Sequence, residues 1–116
     1  MNLKDIHNVY FIGVGGIGMS ALARYFLKIG KHVAGYDKTR NRITTDLEKI
    51  GIQIHFNDSL GLIPENFKHK NTTLVVYTPA VLSDHSELNF FTNQGFQIMK
   101  RAEVLGLITK DTFCFA

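Results

Sequence analysis

The chain has 116 residues, 45% of them hydrophobic and 20% charged, with a formal net charge of +3. These figures describe one ordinary globular domain, and they exclude a disordered tail, a collagen-like repeat or a disulfide-stapled miniature fold. The basic residues are scattered along the chain, which disfavours a nucleic-acid footprint, and no apolar run reaches the roughly 20 residues that a membrane-spanning helix needs.

In chain order, Asn8 to Ile12 is a short β-rich run that stops at a cluster of glycines. Apolar on both faces, it reads as a central strand of a parallel sheet. Residues 17 to 29 follow as a helix that is apolar almost all round, with Leu22, Phe26 and Ile29 at helical spacing and Gly30 as its stop. His32 to Tyr36 is a second strand ending at Asp37. Arg40 to Ile50 is a helix with a stripe of Ile43, Leu47 and Ile50, stopped by Gly51. Ile52 to Phe56 reads as a third strand, and Leu60 to Lys70, interrupted by Pro64, has no clear period.

Thr73 to Tyr77 is the next strand, ended by Pro79. Asp84 and Glu87 form a capping pair for a helix running through Asn93, with Gly95 beyond it. Phe96 to Met99 is a fifth strand, Arg101 to Thr109 a helix, and Thr112 to Ala116 a last strand. Strands alternating with helices at this spacing imply an α/β fold, a Rossmann-like three-layer domain with a mostly parallel sheet of about five strands.

The chemistry concentrates in Gly13-Val14-Gly15-Gly16-Ile17-Gly18, a G-x-G-x-x-G pattern between a strand and a helix. Gly13 permits the tight turn, Gly15 a close approach of backbone to phosphate, and Gly18 close packing of helix on strand. The amides from Gly16 to Met19 then face an anion with the helix dipole behind them. Asp37 lies 19 positions after Gly18, where a carboxylate receives ribose hydroxyls, although Lys38, Thr39 and Asn41 also suit a simple turn cap. Ser20 caps the helix or reaches phosphate through its hydroxyl. His55 sits at a partly exposed edge of the pocket, and Tyr25, Tyr36 and Tyr77 belong to the core. The five histidines show no ligand-pair spacing and the single cysteine, Cys114, allows no disulfide, so no metal site is expected.

On these residues a resemblance emerges. Gly13-Val-Gly-Gly-Ile-Gly-Met-Ser-Ala-Leu-Ala23 resembles the opening loop of the UDP-N-acetylmuramate–L-alanine ligases, members of the Mur ligase family. Gly35-Tyr-Asp37, Val75-Val-Tyr-Thr-Pro-Ala-Val81, Asp84-His-Ser-Glu-Leu88 and Lys100-Arg-Ala-Glu-Val-Leu105 continue the likeness in the same order. The resemblance implies that residues 1–111 bind the UDP part of UDP-N-acetylmuramate. Gly15, Gly16, Ile17, Gly18, Met19 and Ser20 would contact the diphosphate, Asp37 the uridine side, and Thr78, Pro79 and Ala80 the opposite wall. Two places depart from the family pattern, Asn57-Asp58 and Thr78-Pro79.

It further implies that residues 112–116 open an ATP-binding central domain, that central and C-terminal domains complete the enzyme, and that ATP and Mg²⁺ belong to them. No Gly-x-x-x-x-Gly-Lys-Ser/Thr occurs in the sequence, so catalysis is not expected of these residues alone. The single cysteine fits a reducing cytoplasmic setting, and the N-terminus lacks a signal-peptide pattern. The competing reading is an NAD-binding Rossmann domain of a dehydrogenase or redox-sensing regulator, which the first half of the chain fits equally well. A paralogue that recycles murein peptides shares the fold, but its glycine loop usually differs.

Overall fold

A computed structural model of the chain describes residues 5–57, 60–78 and 85–111. Five strands, β1 (Asn8–Ile12), β2 (His32–Tyr36), β3 (Gln53–His55), β4 (Thr73–Tyr77) and β5 (Gln97–Lys100), form one sheet in the order β3-β2-β1-β4-β5. Every pairing is parallel, with Ile12 level with both Tyr36 and Tyr77. β1 is buried at all five positions, as its uninterrupted apolar run requires of a strand covered on both faces.

The helices α1 (Ile17–Lys28), α2 (Arg42–Lys49) and α4 (Arg101–Asp111) cover one face, and α3 (Ser86–Asn93) the other. Val9, Phe11, Leu22, Phe26, Leu47, Val76 and Val104 pack beneath the first layer. Tyr10, Ile12, Val75, Phe91 and Phe96 pack beneath the second. The aperiodic stretch after β3 is two 3₁₀ turns, Leu60–Leu62 and Glu65–Lys68, which put Ile63 and Phe67 into that second core. Asn8 ties them to the sheet by donating to the Asn66 carbonyl at 3.0 Å. They take the place of a crossover helix between β3 and β4.

Several boundaries differ from the sequence expectation. α2 begins at Arg42 because Asn41 is its N-cap: the Asn41 side chain accepts from the Thr44 N–H, and the Thr44 hydroxyl from the Asn41 N–H, both at 2.9 Å. Ile29 and Ile50, expected in buried stripes, are each 44% exposed, since both lie past the last helical residue where the stripe no longer faces the sheet. β5 is shifted one residue toward its C-terminus and runs into α4 with no intervening loop. α3 is capped by His85, whose Nδ1 accepts from the Leu88 N–H at 3.4 Å, while Glu87 turns inward. Asp84, Pro79, Ala80 and the strand expected at residues 112–116 lie outside the described residues.

Candidate functional site

The strand order places the turn after β1 beside Thr78, the residue that follows β4. This is the point where the chain, having wound outward through β2 and β3, returns to the other side of β1. In open α/β sheets ligands bind there, outside the carboxyl ends of the strands. Thr78 directly follows Tyr77, the partner of Ile12, so it stands next to Gly13 across this switch point.

The turn is held from β2. The N–H groups of Gly13 and Val14 both donate to the Tyr36 carbonyl, at 2.8 and 3.0 Å. Gly13 has φ +96°, a region closed to most side chains, which lets the chain reverse in one residue. Val14 then buries its side chain completely. Gly16 is the N-cap of α1 and carries no side chain that could cap it, and the first turn holds no acidic residue.

Gly16 N–H leans on the Gly13 carbonyl at 3.4 Å, and Ser20 N–H closes the first helical bond to Gly16 at 2.8 Å. Between them, the N–H groups of Ile17, Gly18 and Met19 have no acceptor among the described residues. Three bare donors at the positive end of a 12-residue helix make an anion cradle. α2 and α3, by contrast, have side-chain caps.

Each glycine and its neighbours can be placed individually. A Cβ on Gly15 would lie 2.9 Å from the carboxylate of Asp37, so the vacancy there is filled by that side chain rather than held open for phosphate. Asp37 Oδ1 accepts from Gly15 N–H at 3.1 Å and Oδ2 from Thr39 N–H at 3.2 Å. It is thus a turn cap, with lone pairs left over that could accept from a ribose hydroxyl. A Cβ on Gly18 would meet Arg101 Cδ at 2.8 Å and Nη1 at 2.9 Å; the missing side chain makes room for an arginine from α4 and not for helix–strand packing.

The Ser20 hydroxyl donates to the Ile17 carbonyl at 2.9 Å within α1. Met19 buries its side chain in the core while Ile17 is 81% exposed, so both contribute only main-chain groups to the cradle.

A second polar cluster lies under the sheet's other face, and sequence reasoning did not assemble it. Tyr10 O–H donates to Glu87 Oε1 at 2.5 Å. His55 Nε2 stands 2.6 Å from Glu87 Oε2 and 3.0 Å from the Tyr10 oxygen. Glu87 accepts from the Tyr10 hydroxyl, and one proton shared between Glu87 Oε2 and His55 Nε2 completes the second contact. Glu87 and Tyr10 are wholly buried, and the His55 side chain is 15% exposed. The expectation that Glu87 caps α3 therefore gives way to a tie between β1, β3 and α3, in which His55 is partly exposed as expected. One signal was present: a tyrosine inside a central strand needs an acceptor for its hydroxyl.

Comparison with known proteins adds to this geometry. The family model described as "Mur ligase family, catalytic domain" matches residues 8–112. The chain is similar to UDP-N-acetylmuramate--L-alanine ligase of Flavobacterium johnsoniae, 62% identical over the whole chain and 26% of that protein. The corresponding protein of Parabacteroides distasonis is 55% identical over 97% of the chain and 24% of its own length. Among solved structures, UDP-N-acetylmuramate-alanine ligase from Thermotoga maritima superimposes with a TM-score of 0.74 at 30% identity, covering 84% of this chain and 21% of that one. The chain thus spans about a quarter of the length of the curated relatives it matches.

Proposed function

The chain belongs to the Mur ligase family, and from that premise we propose that it binds the UDP moiety of UDP-N-acetylmuramate for an ATP-dependent ligase that joins L-alanine to that substrate. The observation that carries this reading is the uncapped start of α1 at the sheet's switch point, where the Ile17, Gly18 and Met19 amides await an anion. The diphosphate sits on those amides. Asp37 receives the uridine side, and the segment that begins at Thr78 forms the facing wall with Pro79 and Ala80. The relatives' names supply the substrate class.

These residues bind and orient; they do not activate a carboxylate. Ligation of this kind transfers the ATP γ-phosphoryl group to the substrate carboxylate, and the amine of alanine then displaces phosphate from the acyl phosphate. That needs a P-loop lysine and Mg²⁺, and the chain spans only about a quarter of the length of the relatives that carry the ligase name. The setting is cytoplasmic, where both nucleotides are present. Among the described residues no helix is long and apolar enough to cross a membrane.

Calorimetric titration of the chain with UDP and, separately, with NADH tests the reading. UDP binds and NADH releases little or no heat if the site is that of a UDP-sugar ligase. Tight NADH binding without a response to UDP would return the protein to the dehydrogenase class, which shares the glycine pattern.

A further inference from the structure

The anion cradle of α1 lacks a cation of its own. Residues 13–20 include no lysine or arginine, and the charged group bonded to the turn, Asp37 on Gly15, is a carboxylate. A diphosphate placed there meets that negative charge with only main-chain dipoles to offset it. The Arg101 side chain enters from outside the loop. It is the first residue of α4, and its Cδ, Cζ and Nη1 lie 2.8 to 3.0 Å from the point a Gly18 Cβ would occupy. Gly18 is one of the three residues whose N–H has no acceptor among the described residues.

Arg101 is exposed, and no carboxylate or carbonyl among the described residues pairs with its guanidinium. Arg40 and Lys68, by comparison, reach Glu48 at 2.6 Å and Glu65 at 3.7 Å.

We propose that Arg101 is a ligand-binding residue, its guanidinium neutralising the diphosphate of the nucleotide held on the first turn of α1. This rests on the reading of the site given above. Guanidinium suits that role, because its planar fork donates two parallel bonds to phosphate oxygens and it stays charged at any physiological pH. Gly18 has its place in the motif for the same reason. Any side chain there would push the arginine stem off the helix and its charge away from the bare amides. The Lys100-Arg101-Ala102-Glu103 stretch thereby acquires a role at the turn after β1, one strand beyond β4, the neighbour of β5. Glu103 accepts from the Lys100 N–H at 2.8 Å, which fixes the turn from which Arg101 projects.

NMR titrations with UDP and with uridine, on the unaltered chain and on Arg101→Met and Arg101→Lys, test this. Methionine keeps the stem packed over Gly18 and removes the charge. The expected result is that Arg101→Met lowers UDP affinity roughly tenfold to a hundredfold and leaves uridine affinity unchanged, with Arg101→Lys in between. If Arg101→Met does not fold, Arg101→Gln makes the same comparison. UDP affinity in the charge-removed variant equal to that of the unaltered chain would overturn the inference and leave the site assignment standing. Equal losses for UDP and uridine would also overturn it, since they would show an effect of shape rather than charge. An unaltered chain that binds UDP no better than uridine would instead refute the cradle, and Arg101 with it.

Discussion

At the scale of single residues, the structure reassigns the glycines of the motif. Gly15 is small because the Asp37 carboxylate leans against it, and Gly18 because Arg101 does. The acidic and basic partners come from β2 and α4, far apart in sequence, and they converge on one turn. The consequence for Gly15→Ala is specific. The new methyl group would lie 2.9 Å from Asp37 Cγ and Oδ2, so Asp37 must swing away and release the Gly15 amide. UDP affinity should fall by about tenfold, the equivalent of one charge-assisted hydrogen bond. Far-ultraviolet circular dichroism should change little. Calorimetry showing undiminished affinity in this variant would mean that Asp37 has no part in holding the nucleotide.

How much of this was readable beforehand follows from what sequence encodes directly. The need for glycine at 13, 15 and 18 was legible, because the pattern lies between a strand and a helix. The occupant of each vacancy was not. Which side chain fills the space over Gly15 or Gly18 depends on sheet order and on the pitch of α4, and neither is written in local spacing. Ser20 was ambiguous for a related reason. A serine in the first turn of a helix can point to a ligand or bond back to the carbonyl three residues earlier, and here it does the latter.

At the scale of elements, strands and helices were legible wherever periodicity and punctuation agreed. β1, β2 and β4 have the expected bounds, and helix stops at Gly30, Gly51 and Gly95 all carry positive φ. Boundaries slipped where a cap was chosen by tertiary contact. Glu87 resembles the acid of a capping pair, yet the sheet's buried hydroxyl and imidazole claim it, and His85 caps α3 in its place.

α4 offers an element-scale test. Gly106 lies in its interior on the exposed side, and a Cβ there would meet nothing within 4 Å. Gly106→Ala should stabilise the fold by roughly 0.5–1 kcal/mol by removing backbone freedom from the unfolded chain. Urea denaturation would register this as a higher midpoint at an unchanged slope, and a lower midpoint would show that the position is not open.

At the scale of the whole molecule, the three layers were predictable from the alternation of elements, but the tie that spans them was not. Tyr10, His55 and Glu87 stand 45 and 32 residues apart along the chain and meet beneath one face. Tyr10→Phe removes the hydroxyl donated to a wholly buried carboxylate and should destabilise the protein by about 1–3 kcal/mol. Because the hydroxyl belongs to the central strand, the loss should appear in the single global unfolding transition rather than as fraying of α3. Fluorescence and circular dichroism melts that separate in the variant would argue that α3 is a detachable unit. A melting temperature equal to that of the unaltered chain would argue that the hydroxyl contributes nothing.

The seamless junction between Lys100 and Arg101 also has a mechanical meaning. A hinge needs a few residues whose dihedral angles can absorb rotation, and none separates β5 from α4. The helix is cantilevered from the sheet edge, and its first side chain rests on the glycine turn like the tip of a lever on its stop. Tilting α4 by even a few degrees would therefore lift or press that tip against the glycine turn.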